Sequence, residues 1–286
     1  MISRRGLLAA GLAAAPTVWI SRANSEDIEA RLADLEKNNG GRLGVAMLDV
    51  ATGRSIAHRG DELFAMCSTF KVLAAGLILT RVDRGEERLD RRIVYGKERV
   101  VTYSPETQKH AGDEGMTLGE ICKAGLTLSD NTAANIMLES FGGPPALTGF
   151  ARKLGDSVTR LDRIETALNE AKPGDPRDTT SPSAMADNLR KIVLGDVLSA
   201  QSRAQLTDWM LANKTGDKRL RAGVPKDWRV GDKTGSGDNA TTNDIAVLWP
   251  PGRGPLAVTV YYAESPASDE ARSAVIAEVG RLAARV

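Results

Sequence analysis

The chain has 286 residues, 42% hydrophobic and 26% charged, which is the balance of a soluble globular protein with room for one large domain or two small ones. This excludes a disordered, collagenous or disulfide-scaffold chain, and with aromatics at only 4% the core must rest on Ala, Leu, Val and Ile. Lys and Arg number 38 against 37 Asp and Glu, so the basic excess of a nucleic-acid binder is missing, and two cysteines with two histidines, His58 and His110, lack the number and spacing of a zinc site.

Residues 1–23 read as an address. Arg4 and Arg5 precede an apolar run over 6–15 that is too short to span a bilayer, and Ser21-Arg22-Ala23 places small residues where a signal peptidase reads. Ser3-Arg4-Arg5-Gly6-Leu7-Leu8 is similar to a twin-arginine export signal. No cysteine lies near the cut to take a lipid, so the expected destination is the periplasm or the exterior, without a stable membrane anchor. Losing this leader removes Arg4, Arg5 and Arg22 and no acid, which leaves 35 basic and 37 acidic residues, net −2. Export makes a disulfide chemically permissible, and the sequence leaves open whether Cys67 and Cys122 can meet.

Ser25 is a suitable N-cap, followed by Glu26 and Asp27, for a helix whose apolar positions Ile28, Leu32 and Leu35 recur until Gly40-Gly41. Residues 43–50 and 54–58, joined at Ala51-Thr52-Gly53, predict a β-hairpin. Residues 70–82 are apolar and helical. From 90 to 212 the pattern is mostly helical, with loops at 112–115, 142–145 and 172–182, the last too rich in turn residues for regular structure. Residues 228–234, 242–249 and 256–262 are strand candidates, and 269–284 is an amphipathic helix. Strands at both ends and helices between them predict an α+β fold: an antiparallel sheet built from both termini, flanked by helices, with an inserted all-helical domain. The expected division is 24–60 with 213–286 for the α/β domain and 61–212 for the helical one.

Ser68-Thr69-Phe70-Lys71 opens the first central helix, where i and i+3 share a face, so the Lys71 amine is expected to reach the Ser68 hydroxyl. A serine is a weak nucleophile until a neighbouring base takes its proton, and a helix N-terminus offers N–H groups to a developing oxyanion. Alone the pattern is weak and common, and an N-cap serine beside a solvated lysine is its more frequent explanation. Ser129-Asp130-Asn131 lies between two helix-like runs and by itself reads as turn and cap chemistry. Lys233-Thr234-Gly235 sits on a strand, where a lysine and a hydroxyl make a carboxylate clamp and the glycine lets a ligand lie against the backbone. Lys214-Thr215-Gly216 has the same letters in a loop context, and the strand context with Ser236-Gly237 favours the later copy.

In this order and at these separations the three motifs resemble those of the serine β-lactamases and penicillin-binding proteins. Glu165 to Asn169, with Arg163 ahead and Asp178 behind, resembles the Ω-loop of the class A β-lactamases, and the resemblance covers residues 24–286. It implies Ser68 as nucleophile and Ser129, linked to Lys71 and Lys233, as proton donor to the departing nitrogen. Glu165 and Asn169 would hold the hydrolytic water, and the backbone amides of Ser68 and Ser236 would form the oxyanion hole. It further implies Tyr103, Asn131, Thr234, Gly235, Ser236 and Arg219 on the substrate, Asn135 bracing the loop and an Arg163–Asp178 pair closing its neck. Arg272 is a rival to Arg219 for the substrate carboxylate. The family's usual disulfide partners stand here as Ala75 for Cys122 and Gly237 for Cys67, so neither bridge is expected. The run after the clamp, TTNDIAVLWP, is similar to the cefotaxime-hydrolysing branch.

The implied activity is hydrolysis of penicillins and cephalosporins by an exported monomer, with no metal, no organic cofactor, no nucleic acid and small-molecule β-lactams as the partners. A D-alanyl-D-alanine peptidase shares the first three motifs but gives Glu165 and Asn169 no task. A β-lactam sensor usually carries membrane spans, and none is visible. His58 and His110 lie outside any Gly-x-Ser-x-Gly elbow and read as ordinary polar residues.

Overall fold

The computed structural model describes residues 17–286, with side chains from residue 25, so most of the expected leader lies outside the described residues. Helix α1 (Thr17–Asn39) begins eight residues before the expected cap at Ser25. Residues 17–24 contain neither Gly nor Pro to stop it, and the Ser25 hydroxyl instead accepts from Arg54 Nε at 2.9 Å. Ile28 and Leu32 are fully buried, as their helical spacing predicts. The hairpin follows as β1 (Arg42–Asp49) and β2 (Ser55–His58).

Strand β3 (Phe64–Ala65) leads into a 3-10 turn at Cys67–Thr69 and then helix α2 (Phe70–Asp83). Residues 90–117, expected to be mostly helical outside the loop at 112–115, are not: β4 (Arg92–Ile93) pairs with β5 (Met116–Thr117) around two short 3-10 turns. Gly96, Pro105, Gly112 and Gly115 interrupt any helical run there. Helices α3 (Leu118–Thr127) and α4 (Asn131–Phe141) flank the Ser129-Asp130 turn. The expected loop at 142–145 is shorter. Gly142, at φ 101°, ends α4, and Pro144-Pro145 form the first turn of α5 (Pro144–Lys153), where the missing N–H groups cost nothing.

The turn-rich 172–182 segment does hold one regular piece, β6 (Thr179–Thr180), paired antiparallel with β3 before Pro182 opens α6 (Pro182–Leu189). Helices α7 (Ala200–Leu211) and α8 (Leu220–Gly223) precede the strands β7 (Arg229–Gly237), β8 (Thr241–Trp249) and β9 (Leu256–Ala263), and α9 (Asp269–Ala283) closes the chain.

The described residues form a five-stranded sheet of order β2-β1-β9-β8-β7, antiparallel throughout, so strands from both ends of the chain meet at the β1–β9 pairing. Its central strands β1, β9 and β8 are buried on both faces, which is why they carry long apolar runs. Val258, Val260 and Tyr262 face α1 and α9, whereas Ala257 and Tyr261 face the helical side. Helix α2 runs through the middle of that helical core, with Phe70, Val72, Leu73, Ile78 and Leu79 sealed from solvent. Its N-terminus abuts β7 at the sheet's open edge, and this junction makes the site.

Candidate active site

Ser68 lies in the 3-10 turn ahead of α2 and caps nothing: its hydroxyl donates to Glu165 Oε1 at 3.1 Å. The turn is held from three sides. Met66 N donates to Asp178 O at 2.9 Å, the Thr69 hydroxyl donates to Met66 O, and Asn243 Nδ2 on β8 donates to Ala65 O at 2.9 Å. Cys67, at φ 45°, gives the chain the left-handed step that turns Ser68 to the cleft.

Lys71 is fully buried and does not hydrogen-bond to Ser68, contrary to the spacing argument. Its amine donates to Ser129 O and Asn131 Oδ1, both at 2.8 Å, and pairs with Glu165 Oε1 at 3.1 Å. These three acceptors match the three protons of an ammonium and draw it away from the hydroxyl. Burial lowers its pKa from the ordinary lysine value, and the Glu165 charge opposes that.

Lys233 donates to Ser129 Oγ at 2.9 Å and to Thr234 O at 2.8 Å. Burial, reinforced by the Lys71 charge, holds it well below an ordinary lysine. Asp130 is the cap that its residue type predicts, accepting from Ala133 N on α4. It also accepts from Glu106 N, Thr107 N and the Thr107 hydroxyl, and so ties down the loop that carries Tyr103. Asn131 Nδ2 donates to Thr102 O at 2.9 Å on the same loop.

Glu165 is 3% exposed and held by its backbone: Asn135 Oδ1 accepts from Glu165 N and Asn135 Nδ2 donates to Glu165 O, each at 2.9 Å. Asn169 Nδ2 donates to Glu165 Oε2. Arg163 Nε meets Asp178 Oδ2 at 2.6 Å, and Asp178 Oδ1 accepts from the backbone N–H groups of Asp162 and Arg163. Arg163 has a second acid, Glu170, at 2.6 Å. The far end of the loop docks on β7, where Asp238 N donates to Asn169 O at 2.9 Å.

A cavity of about 390 Å³ is lined by Ser68, Tyr103, Ser129, Asn131, Asn169, Thr234, Ser236 and Arg219, with Lys71, Glu165 and Lys233 buried beneath it. Thr215, from the copy of the clamp letters set aside in the sequence, lines it too, with its hydroxyl 2.5 Å from that of Thr234. Nothing in the local sequence signals that contact. Arg219 donates to Gly235 O at 2.9 Å, Asn243 O at 2.6 Å and Ser236 Oγ at 2.8 Å, so its guanidinium sits at the cleft rim. Its rival Arg272 donates to Thr242 Oγ1 and Ala267 O behind the sheet and does not line the cavity. A side chain at Gly235 would meet Met66 O at 2.8 Å, so the glycine lets β7 close on the Ser68 turn. Cys67 and Cys122 are buried free thiols. His58 and His110 pair with Glu36 and Glu106, away from the cleft.

With this geometry in place, residues 27–286 match the sequence profile described as the β-lactamase enzyme family. The chain belongs to that family. It is 47% identical to β-lactamase OXY-1 of Klebsiella oxytoca over 95% of this chain and 92% of the relative. It is 46% identical to β-lactamase CTX-M-8 of Citrobacter amalonaticus over 91% and 89%. Among solved structures, the ancestral GNCA class A β-lactamase superposes with a TM-score of 0.88 at 68% identity, covering 89% of this chain and 98% of that one. The α+β fold and the class A membership expected from the motifs both hold.

Proposed function

We propose that the chain hydrolyses the β-lactam amide of penicillins and cephalosporins through an acyl-enzyme on Ser68, and so confers antibiotic resistance. The observation that carries this reading is the position of Glu165, which accepts from the Ser68 hydroxyl through one oxygen and from Asn169 through the other. Ser68 Oγ attacks the lactam carbonyl carbon and passes its proton to Glu165. Lys71 is the poorer acceptor, because its three donors are already matched. The N–H groups of Ser68 and Ser236 receive the oxyanion. Ser129 accepts from Lys233 and keeps its own proton to give to the departing nitrogen as the C–N bond breaks. The proton on Glu165 then passes to its partner Lys71 as Lys71 gives one on to Ser129, which restores the Glu165 carboxylate and the Ser129 hydroxyl. A water held between Glu165 and Asn169 loses a proton to Glu165 and attacks the ester carbonyl, and Glu165 returns that proton to Ser68 Oγ as the C–O bond to Ser68 breaks.

Lys233, Thr234, Ser236 and Arg219 bind the substrate carboxylate beside Gly235. Tyr103 forms the outer wall, and Asn131 has a second amide proton for the substrate's side chain. Asn135 and the Arg163–Asp178 pair keep the Ω-loop in register. The chemistry calls for no metal or organic cofactor. The cleft lies where the helical segment 61–212 meets the sheet-bearing ends 24–60 and 213–286. Export through the leader places the reaction in the periplasm or outside the cell, and no described helix is long and apolar enough to cross a membrane. Repeated turnover of a chromogenic cephalosporin, abolished by Ser68→Ala, is the expected result. A stoichiometric burst that stops would instead identify a sensor that stays acylated.

A further inference from the structure

Thr215 lies in the loop between α7 and α8, outside the three motifs. Its own N–H donates to Asn213 Oδ1 at 3.0 Å, and its hydroxyl reaches the same oxygen at 2.8 Å. A backbone N–H can only donate, so the partner atom on Asn213 must be the amide oxygen, which fixes the flip of that side chain. Asn213 Nδ2 accordingly donates to Asp232 Oδ2 at 2.7 Å. Both anchors are buried, Asn213 at 2% and Asp232 at 0% exposed. The loop is pressed against them so closely that a side chain at Gly216 would overlap the Asp232 carboxylate. Lys214 N, donating to Thr127 O at 2.9 Å, ties the same loop to α3.

These bonds settle the direction of the 2.5 Å contact between Thr215 and Thr234. The Thr215 hydroxyl has one proton and gives it to Asn213. It therefore accepts from Thr234, whose own single proton points away from the cleft. A carboxylate needs that proton. When Thr234 turns it towards the anion, its oxygen is left facing Thr215, and Thr215 must turn its proton from Asn213 to Thr234. Asn213 Oδ1 keeps the Thr215 N–H, so the reversal leaves no buried group unpaired. The resulting chain, Thr215 to Thr234 to carboxylate, is charge-assisted, and each bond polarises the next.

We propose that Thr215 is a positioning residue for recognition of the substrate carboxylate, with a hydroxyl that holds Thr234 in place and reverses its hydrogen bond when the anion binds. This rests on the β-lactam hydrolase reading. The carboxylate lies away from the reacting bond and is held equally in ground and transition states, so losing its support raises KM and spares kcat.

The test is steady-state hydrolysis of a penicillin by wild type, Thr215→Val and Thr215→Ser, with melting temperatures taken alongside. Val keeps the shape and removes the hydroxyl. It should raise KM roughly fivefold, the worth of one modest hydrogen bond, with kcat within about twofold of wild type. Ser should restore the wild-type KM. An unchanged KM in Thr215→Val, a fall in kcat matching the loss in kcat/KM, or failure of Ser to restore KM would each overturn the proposal while leaving the hydrolase reading intact. Absence of turnover by wild type would overturn the hydrolase reading, and the proposal with it.

Discussion

Gly235 faces the Ser68 turn, where an added Cβ would sit 2.8 Å from Met66 O and 3.2 Å from Thr69 Cγ2. Neither atom is the free end of a flexible chain, since the Thr69 hydroxyl is itself bonded to Met66 O. Gly235→Ala should therefore push β7 away from the nucleophile, at an overpacking cost of about 1–3 kcal/mol. A shift on the order of 1 Å between Ser68 and the Ser236 amide would lower kcat by roughly 10²-fold. Thermal melting and penicillin turnover of the variant check both effects, and wild-type values in both would show that the close approach is not required. The reacting residues were legible as motifs, because Ser68, Lys71, Ser129, Lys233 and Glu165 each stand in a short run with a recognisable spacing. Thr215, Asn213 and Asn243 were not. Their contacts join segments far apart in the chain, 178 residues apart for Asn243 and Ala65, and no local pattern encodes them.

The Ω-loop is the element on which hydrolysis depends, and its neck is an ion pair in which Asp178 is fully buried. Arg163→Ser would leave that carboxylate with backbone donors alone. Removing one partner of a buried pair costs about 3–5 kcal/mol, and the partial exposure of Arg163 brings the expected loss to about 2–4 kcal/mol. Because β6 in the loop's closing segment pairs with β3 just ahead of Ser68, the damage should spread to the nucleophile turn. A lowered melting temperature and faster amide exchange over residues 163–178 are the expected readouts. Wild-type exchange there would mean that the pair does not hold the loop. Among the elements, β1, β8 and β9 are readable from their apolar runs, and β2 and β7 from the glycine-bearing turns beside them. Residues 90–117 depart from the mostly helical expectation because Gly96, Pro105, Gly112 and Gly115 allow only short pieces, the 3-10 turns and the β4–β5 pair.

Across the whole molecule, the two ends of the chain meet in the β1–β9 pairing, and charge pins helix α1 to the hairpin that carries β1. Glu36 on α1 accepts from Leu43 N, from Arg59 Nε and Nη2, and meets His58 Nε2. Burial opposes ionisation of this carboxyl, but the Arg59 bonds and the Leu43 N–H outweigh it and lower its pKa to about 2. A depressed carboxyl pKa stabilises the fold fully above the unfolded value near 4.5, and that stability is lost as pH falls from there towards 2. Glu36→Gln should thus cost on the order of 2 kcal/mol at neutral pH, allowing for solvent at this partly exposed site. The difference from wild type should shrink as pH falls below 4.5. A stability difference that does not change with pH between neutral and 3 would contradict the assignment.

The account makes this molecule a hydrolase, in which an ester on Ser68 persists unless a placed water loses a proton to Glu165. A general base contributes roughly 10²–10⁴-fold, so Glu165→Ala should slow deacylation by that order while Ser68, Lys71 and the oxyanion donors stay in place. Acylation also slows where Glu165 takes the Ser68 proton, but the ester has no other route out of the site. Intact-protein mass spectrometry of Glu165→Ala mixed with a penicillin should show the added penicilloyl mass accumulating and persisting, with none on Ser68→Ala. Turnover of penicillin by Glu165→Ala at the wild-type rate, with no adduct, would contradict the mechanism at its central residue.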